Sequence, residues 1–274
     1  MKAVVYQGNN KALSLEDVSP PEPGPGQLLI SVSACGICGS DLHAYQSGLL
    51  APEIIMGHEF SGEILAVGEG TSTAWQVGDR VNPMPGLICG HCDACKQERF
   101  YSCEDLQLTG FFVHGAYAEQ VLVSEQLAVR VPDTLDLTQA ALVEPMTVGL
   151  QAFRDAQLPL GGKVLVIGAG VIGLAVAKWA RFFGAQDIVV SDLETGRLDR
   201  ARASGATDVI DASANPDAVQ GFRDTAGGEP DVIFECVGRP MLQKLVDIAP
   251  KGCHIVSVGV SMAEEPLSPL AAAQ

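Results

Sequence analysis

Basic residues are scarce in this sequence: 17 lysines and arginines stand against 33 aspartates and glutamates, a formal net charge of -16. So acidic a chain repels phosphate backbones and anionic lipids, which excludes nucleic acid and membrane surfaces as partners. Long apolar runs are missing too. No stretch reaches the roughly 18 to 20 apolar residues that span a bilayer. The most apolar one, "VLVIGAGVIGLAVAKWA", is cut by three glycines and a lysine. The opening "MKAVVYQGNN" carries one lysine and no long apolar run behind it, so it does not read as a signal peptide. Internal repeats and low-complexity tracts are also absent. These absences predict a soluble, cytoplasmic protein.

What the chain does have is length, apolar content and cysteine. Its 274 residues, 47% of them hydrophobic, suffice for two domains and a sizeable core. Eight cysteines in a long chain without an export signal favour thiolate–metal chemistry in a reducing compartment over disulfides. Four of them fall within "CGHCDACKQERFYSC" at 89–103. Cys89, Cys92, Cys95 and Cys103 have the spacing C-x2-C-x2-C-x7-C, which lets four thiolates surround one tetrahedral zinc with no open position. A redox pair needs only two cysteines, and a nucleic-acid ribbon sits badly with the charge. An iron–sulfur cluster also takes a cysteine quartet and stays open as an alternative.

The texture of the chain changes part-way. Through about residue 150, short apolar runs alternate with turns: "KAVVY", "QLLISVSAC", "SGEILAVGEG", "DRVNPMPG", "AYAEQVLVSE" and "LAVRVP". Period-two patterning with frequent glycine and proline predicts a β-rich domain, a small barrel. From about Gly161, five short apolar strands alternate with four helical stretches, the pattern of a doubly wound α/β sheet. The stretch "LTQAALVEPMTVGLQAFRDA" reads as a helix joining the halves.

"VLVIGAGVIGLAVA" places Gly168, Gly170 and Gly173 as G-x-G-x-x-G between a predicted strand and a predicted helix that opens at Val171 and Ile172. Gly168 permits the tight turn, Gly170 lets a pyrophosphate approach the backbone, and Gly173 allows close helix–strand packing. The helix start offers free N–H groups and a positive dipole end to the phosphates. Asp192, nineteen residues after Gly173, closes the second strand. A carboxylate there bonds an adenosine ribose and repels a 2′-phosphate, which favours NAD over NADP. Arg197 can weaken that discrimination or pack on the adenine.

"CGICGSDLH" at 35–43, "GHEFSGEI" at 57–64 and "LVEPMTVG" at 142–149 supply Cys38, His58 and Glu144, a thiolate, an imidazole and a carboxylate. A catalytic zinc needs three protein ligands and one open position, and acts as a Lewis acid that lowers the pKa of a hydroxyl. Spacing alone does not assign these distant residues to one metal.

Taken together, "VSACGICGSDLHAY", "MGHEFSGEI", the four-cysteine lobe, "GGKVLVIGAGVIGL" and the Asp of "VVSD" resemble the zinc-dependent medium-chain dehydrogenase/reductase family. The branch is that of sorbitol, threonine and butanediol dehydrogenases, which carries Glu-Pro where other alcohol dehydrogenases place a second cysteine ligand. The resemblance implies a GroES-like β-rich catalytic domain over 1–150 with a structural-zinc lobe at 89–103. An NAD-binding Rossmann domain follows over 151–274. Cys38 and His58 would hold the catalytic zinc with Glu59 or Glu144, directly or through water. Ser40 would take the alcohol proton and His43 would pass it to solvent. Asp41 would bond the far nitrogen of His58 and fix its tautomer. Cys35 would be a packed cysteine off the metal. Cys236 and Cys253 read as small buried residues in strands.

The implied activity is NAD-dependent oxidation of a secondary alcohol or polyol to a ketone. The family pattern also continues past the fifth strand with a sixth that pairs subunits, then returns to the first domain. The chain therefore reads as C-terminally truncated, and as a homo-oligomer if that segment were present. Two alternatives stand beside this reading. One is a catalytically incompetent zinc- and NAD-binding fragment or sensor. The other is a zinc-free reductase, which lacks the set of Cys38, His58 and Glu144.

Overall fold

The computed structural model describes residues 1–9 and 11–269. The chain divides into two compact units, Met1–Glu144 and Pro145–Gln274.

In the first unit, strands β1 (Lys2–Val5) and β2 (Ser14–Asp17) form an antiparallel ribbon. The chain continues through β3 (Gln27–Gly36), helix α1 (Gly39–Ser47), β4 (Glu59–Val67) and β5 (Arg80–Pro83). There follow β6 (Gly86–Leu87), α2 (Asp93–Lys96), β7 (Gln107–Leu108), β8 (Gln120–Ser124), β9 (Ala128–Arg130) and α3 (Leu137–Ala140). Five of these strands make an antiparallel sheet in the order β8-β3-β4-β5-β9, a GroES-like half-barrel. Alternation puts Leu28, Ile30, Phe60, Ile64, Val81, Val121 and Val123 into one core. The short β6–β7 ladder brackets the four-cysteine lobe at its base.

Two features of this unit were hidden in the sequence. Strand β2 reads "SLED" and leaves three of its four residues exposed, so no alternation marks it. Helix α1 has no apolar stripe; only Asp41 and Ala44 are buried. It forms because its ends are fixed. The Asp41 carboxylate accepts the Cys38 backbone N–H at 3.0 Å, and Gly48 closes the helix at φ 70.

The predicted joining helix is broken in two, α3 and α4 (Val143–Asp155). Pro145 has no N–H to offer the carbonyl of Ala141, so one helix cannot run through, but proline is tolerated in the first turn of α4.

The second unit alternates β10 (Val164–Ile167), α5 (Val171–Phe182), β11 (Ile188–Asp192), α6 (Thr195–Ala203) and β12 (Asp208–Asp211). It ends with α7 (Ala218–Ala226), β13 (Val232–Glu235), α8 (Leu242–Ile248) and β14 (His254–Ser257). All pairings are parallel, in the order β12-β11-β10-β13-β14. Val164 and Val166 face one core with α4, α5 and α6, while Leu165 and Ile167 face another with α7 and α8. Burial on both faces explains the uninterrupted apolar strands. The order reverses between β10 and β13, and a Rossmann-type sheet binds ligands at such a switch point. Cys236 and Cys253 lie one residue outside β13 and β14, a small correction to their placement in strands. Among the described residues, no helix is long and apolar enough to cross a membrane.

Candidate active site

The catalytic-type constellation grows from the end of the β3–β4 ladder. Gly36 pairs with Glu59, and a Cβ at Gly36 would sit 2.2 Å from the Glu59 Oε2, so the glycine leaves the space the carboxylate occupies. Cys38 lies just beyond β3, and His58 just before β4. Cys38, His58 and Glu59 thereby bring a sulfur, a nitrogen and an oxygen within 4.8 Å of one another. Three mixed donors at that separation suit a zinc ion with one open position. Glu144 lies outside this three-donor group, in the first turn of α4. Burial raises its pKa, His58 opposes that rise, and the neighbouring Glu59 and Asp41 charges add to it, so it shares the same field.

Behind the donors stands a buried support. Asp41 Oδ1 lies 3.4 Å from His58 Nδ1, an ionic contact whose N–H is not aligned as a hydrogen bond. Its Oδ2 accepts the Tyr117 hydroxyl at 2.8 Å as well as the Cys38 N–H. Burial acts to raise the Asp41 pKa, yet the contacts from His58, Tyr117 and Cys38 hold it below the usual carboxylate value. Burial likewise acts to lower His58, but Asp41 and Cys38 drive it up to about 10. The surroundings thus favour positive charge at this point, whether a proton on the ring or a metal cation beside it. Burial raises the Glu59 pKa. With Nδ1 turned to Asp41, the other ring nitrogen Nε2 lies 3.5 Å from the Ser40 hydroxyl. Ser40 and His43 are three apart on α1 and share a helix face. Tyr117 was not foreseen from sequence; it is 76 residues from Asp41, and an aromatic in the alternating run "AYAEQVLVSE" reads as core.

The lobe brings Cys89, Cys92, Cys95 and Cys103 together, again within 4.8 Å. The sulfurs of Cys89 and Cys95 are 3.9 Å apart, and those of Cys103 and Cys89 are 3.7 Å apart. A tetrahedron with Zn–S near 2.3 Å has edges of about 3.8 Å, so one zinc fits. An iron–sulfur cluster interposes several atoms and spreads its cysteines further. Backbone N–H groups of Cys89, Cys92 and Cys95 point at the sulfurs of Cys103, Cys89 and Cys92. The Glu104 and Cys95 amides lower the Cys92 thiol to about 6, which favours the thiolate a metal needs. Cys35 belongs to no metal group among the described residues; burial pushes its thiol up to about 12. The remaining histidines have backbone partners: His91 Nδ1 with Cys89 O, His114 Nδ1 with the Ile55 N–H, and His254 Nδ1 with Ala156 O.

In the second unit the glycine motif occupies the turn from β10 into α5. Gly168 has φ +98, which suits only glycine comfortably. A Cβ at Gly173 would lie 1.8 Å from the Gly168 carbonyl oxygen, whereas one at Gly170 would meet nothing within 4 Å. Gly170 is the N-cap of α5; Val171 is exposed at the helix start and Ile172 half-buried beside it. Free amides, an open approach and a helix N-terminus fit a dinucleotide pyrophosphate. Asp192 accepts the Ala169 N–H at 2.7 Å through Oδ2 and the Glu194 N–H at 2.9 Å through Oδ1. Each oxygen retains a lone pair for a ribose hydroxyl. The Arg197 guanidinium stands 3.8 Å from Asp192 Oδ2.

Comparison with known proteins decides the lineage. Residues 24–133 match the alcohol dehydrogenase GroES-like domain, and residues 171–273 match the zinc-binding dehydrogenase domain. The chain is 36% identical over 277 residues to sorbitol dehydrogenase of Bacillus subtilis (strain 168), covering 98% of this chain and 78% of that protein.

The chain belongs to the zinc-dependent medium-chain alcohol dehydrogenase family.

Within this family of NAD(P)-dependent alcohol and polyol dehydrogenases, it is also similar to (R,R)-butanediol dehydrogenase of the same bacterium. The identity there is 38% over 257 residues, covering 88% of this chain and 72% of that protein. Among solved structures, a protein of Sinorhizobium meliloti 1021 described as a zinc-binding dehydrogenase and bound to NADP superposes with a TM-score of 0.88. It is 32% identical, over 98% of this chain and 80% of that one.

Proposed function

We propose that this chain is an NAD-dependent zinc dehydrogenase that oxidises a secondary alcohol or polyol to the ketone. The observation that carries the proposal is the meeting of Cys38, His58 and Glu59 within 4.8 Å, with the Ser40 hydroxyl 3.5 Å from His58 Nε2. Held by those three residues, with Glu144 close enough to share their field, zinc supplies Lewis acidity that makes an alcohol proton easier to remove. Ser40 accepts that proton, and His43 on the same face of α1 carries it to solvent. Asp41 holds the His58 ring with Nδ1 turned toward its carboxylate and Nε2 presented on the other side. The turn at Gly168, Gly170 and Gly173 binds the pyrophosphate of NAD, the hydride acceptor of the reaction. Asp192 bonds the adenosine ribose and repels a 2′-phosphate; Arg197 tempers that preference. Cys89, Cys92, Cys95 and Cys103 would fill all four positions of a zinc in the lobe, which would stabilise structure rather than supply chemistry. Eight free cysteines suit the reducing conditions of a cytoplasmic location.

The test is to incubate the zinc-loaded chain with NAD or NADP and a panel of secondary alcohols and polyols, following NAD(P)H absorbance. The proposal expects turnover with at least one substrate and faster reduction of NAD than of NADP. A chain that carries zinc and binds NAD but turns over none of the panel would be a binding protein, and the proposal would fall.

A further inference from the structure

Of the buried acidic side chains among the described residues, Asp41 and Glu59 belong to the zinc-type site, and Asp192 to the ribose end of the nucleotide site. Glu235 has no part in either. It ends β13 with 2% of its surface exposed, at the edge of the switch point where β10 and β13 diverge.

Its bonding is specific. Oε1 accepts the backbone N–H of Val237 at 2.6 Å and of Gly238 at 2.9 Å. Its carbonyl accepts the N–H of Val258 at 2.8 Å and of Gly259 at 2.9 Å. One residue thus fastens the loop after β13 to the loop after β14. The crossing is tight: a Cβ at Gly259 would lie 2.2 Å from the Gly238 nitrogen and 2.8 Å from Glu235 Oε2. Gly238 itself has φ +72, so the folded-back turn leans on glycine and on its two carboxylate bonds.

The turn so held stands against the glycine motif. A Cβ at Gly168 would be 3.0 Å from Val237 Cγ2 and 3.2 Å from the Cys236 carbonyl carbon. Val237 is nevertheless 42% exposed, an apolar side chain presented beside the phosphate turn.

We infer that Glu235 is a positioning residue of the nucleotide site. By capping the Val237 and Gly238 amides, it holds the apolar wall beside Gly168 in place before the dinucleotide arrives. The inference rests on the dinucleotide reading above and adds to it a residue that touches no ligand. A preformed wall spares the ordering cost that binding would otherwise carry.

The test uses the zinc-loaded full chain and NADH titrated by fluorescence. Glu235→Asp keeps the charge but withdraws the acceptor by one methylene; Glu235→Gln keeps reach and acceptor but removes the charge. The expectation is that E235D weakens NADH binding about tenfold and E235Q stays within about threefold of wild type, both retaining full zinc. Wild-type affinity in E235D, or E235Q as weak as E235D, would overturn the assignment. A second measurement needs no variant. Hydrogen exchange on the wild-type protein without nucleotide should show the Val237 and Gly238 amides already protected, and exchange at open-loop rates would contradict a preformed wall. Wild-type protein that binds neither NADH nor NADPH is a different failure: it removes the dinucleotide reading itself, and this inference with it.

Discussion

His58 can serve a metal only if its ring is held still, and what holds it is Asp41. That carboxylate meets the His58 ring, the Tyr117 hydroxyl and the Cys38 amide, so one buried side chain orients two of the three donors. Asp41→Asn is therefore expected to weaken binding at the Cys38–His58–Glu59 site about 10- to 100-fold. Competition with a chelator would show it as early loss of one zinc while the four-cysteine zinc stays. Simultaneous loss of both metals would mean that Asp41 supports the unit as a whole rather than this site. The residues with chemical identity were legible in the sequence, because thiolate, imidazole and carboxylate announce themselves in short motifs. Tyr117 and Glu235 were not: each acts through a hydroxyl or carboxylate pointed at backbone or at another acid, and nothing local to the sequence distinguishes them from core residues.

At the scale of elements, the turn from β10 into α5 separates two jobs that the glycine motif combines. Gly173 is there for the protein, since its missing Cβ would collide with the Gly168 carbonyl; Gly170 faces open space, which the proposed nucleotide requires. Gly173→Ala should destabilise the chain by about 1–3 kcal/mol or more and lower its melting temperature. Gly170→Ala, at φ -72, should leave the melting temperature unchanged and weaken NADH binding. Equal melting losses in both variants would refute this division of labour. The parallel strands of this unit and the helices between them were readable because burial on both faces makes strands continuously apolar. Helix α1, which carries Ser40 and His43, was not, because its stability comes from its caps and not from an apolar stripe. The break between α3 and α4 follows from Pro145, whose effect falls four residues upstream of itself.

For the whole molecule, the acidic charge, two domains and two metal sets fit one account: a small-molecule dehydrogenase with one zinc for chemistry and one for shape. The chain spans 78% of the length of its sorbitol dehydrogenase relative. The choice of alcohol in the proposed reaction is a property of pocket walls, which short motifs do not encode. The division between the two zincs is the central claim, and it is tested by comparing wild type, Cys38→Ser and Cys95→Ser for metal content, melting temperature and NADH formation. Wild type should hold two zincs and turn over a secondary alcohol or polyol. Cys38→Ser should keep the lobe zinc and the fold but form no NADH. Cys95→Ser should lose the lobe zinc and melt earlier, yet still form NADH below its melting point. The reverse pattern, turnover surviving in Cys38→Ser and vanishing in a folded Cys95→Ser, would contradict the account.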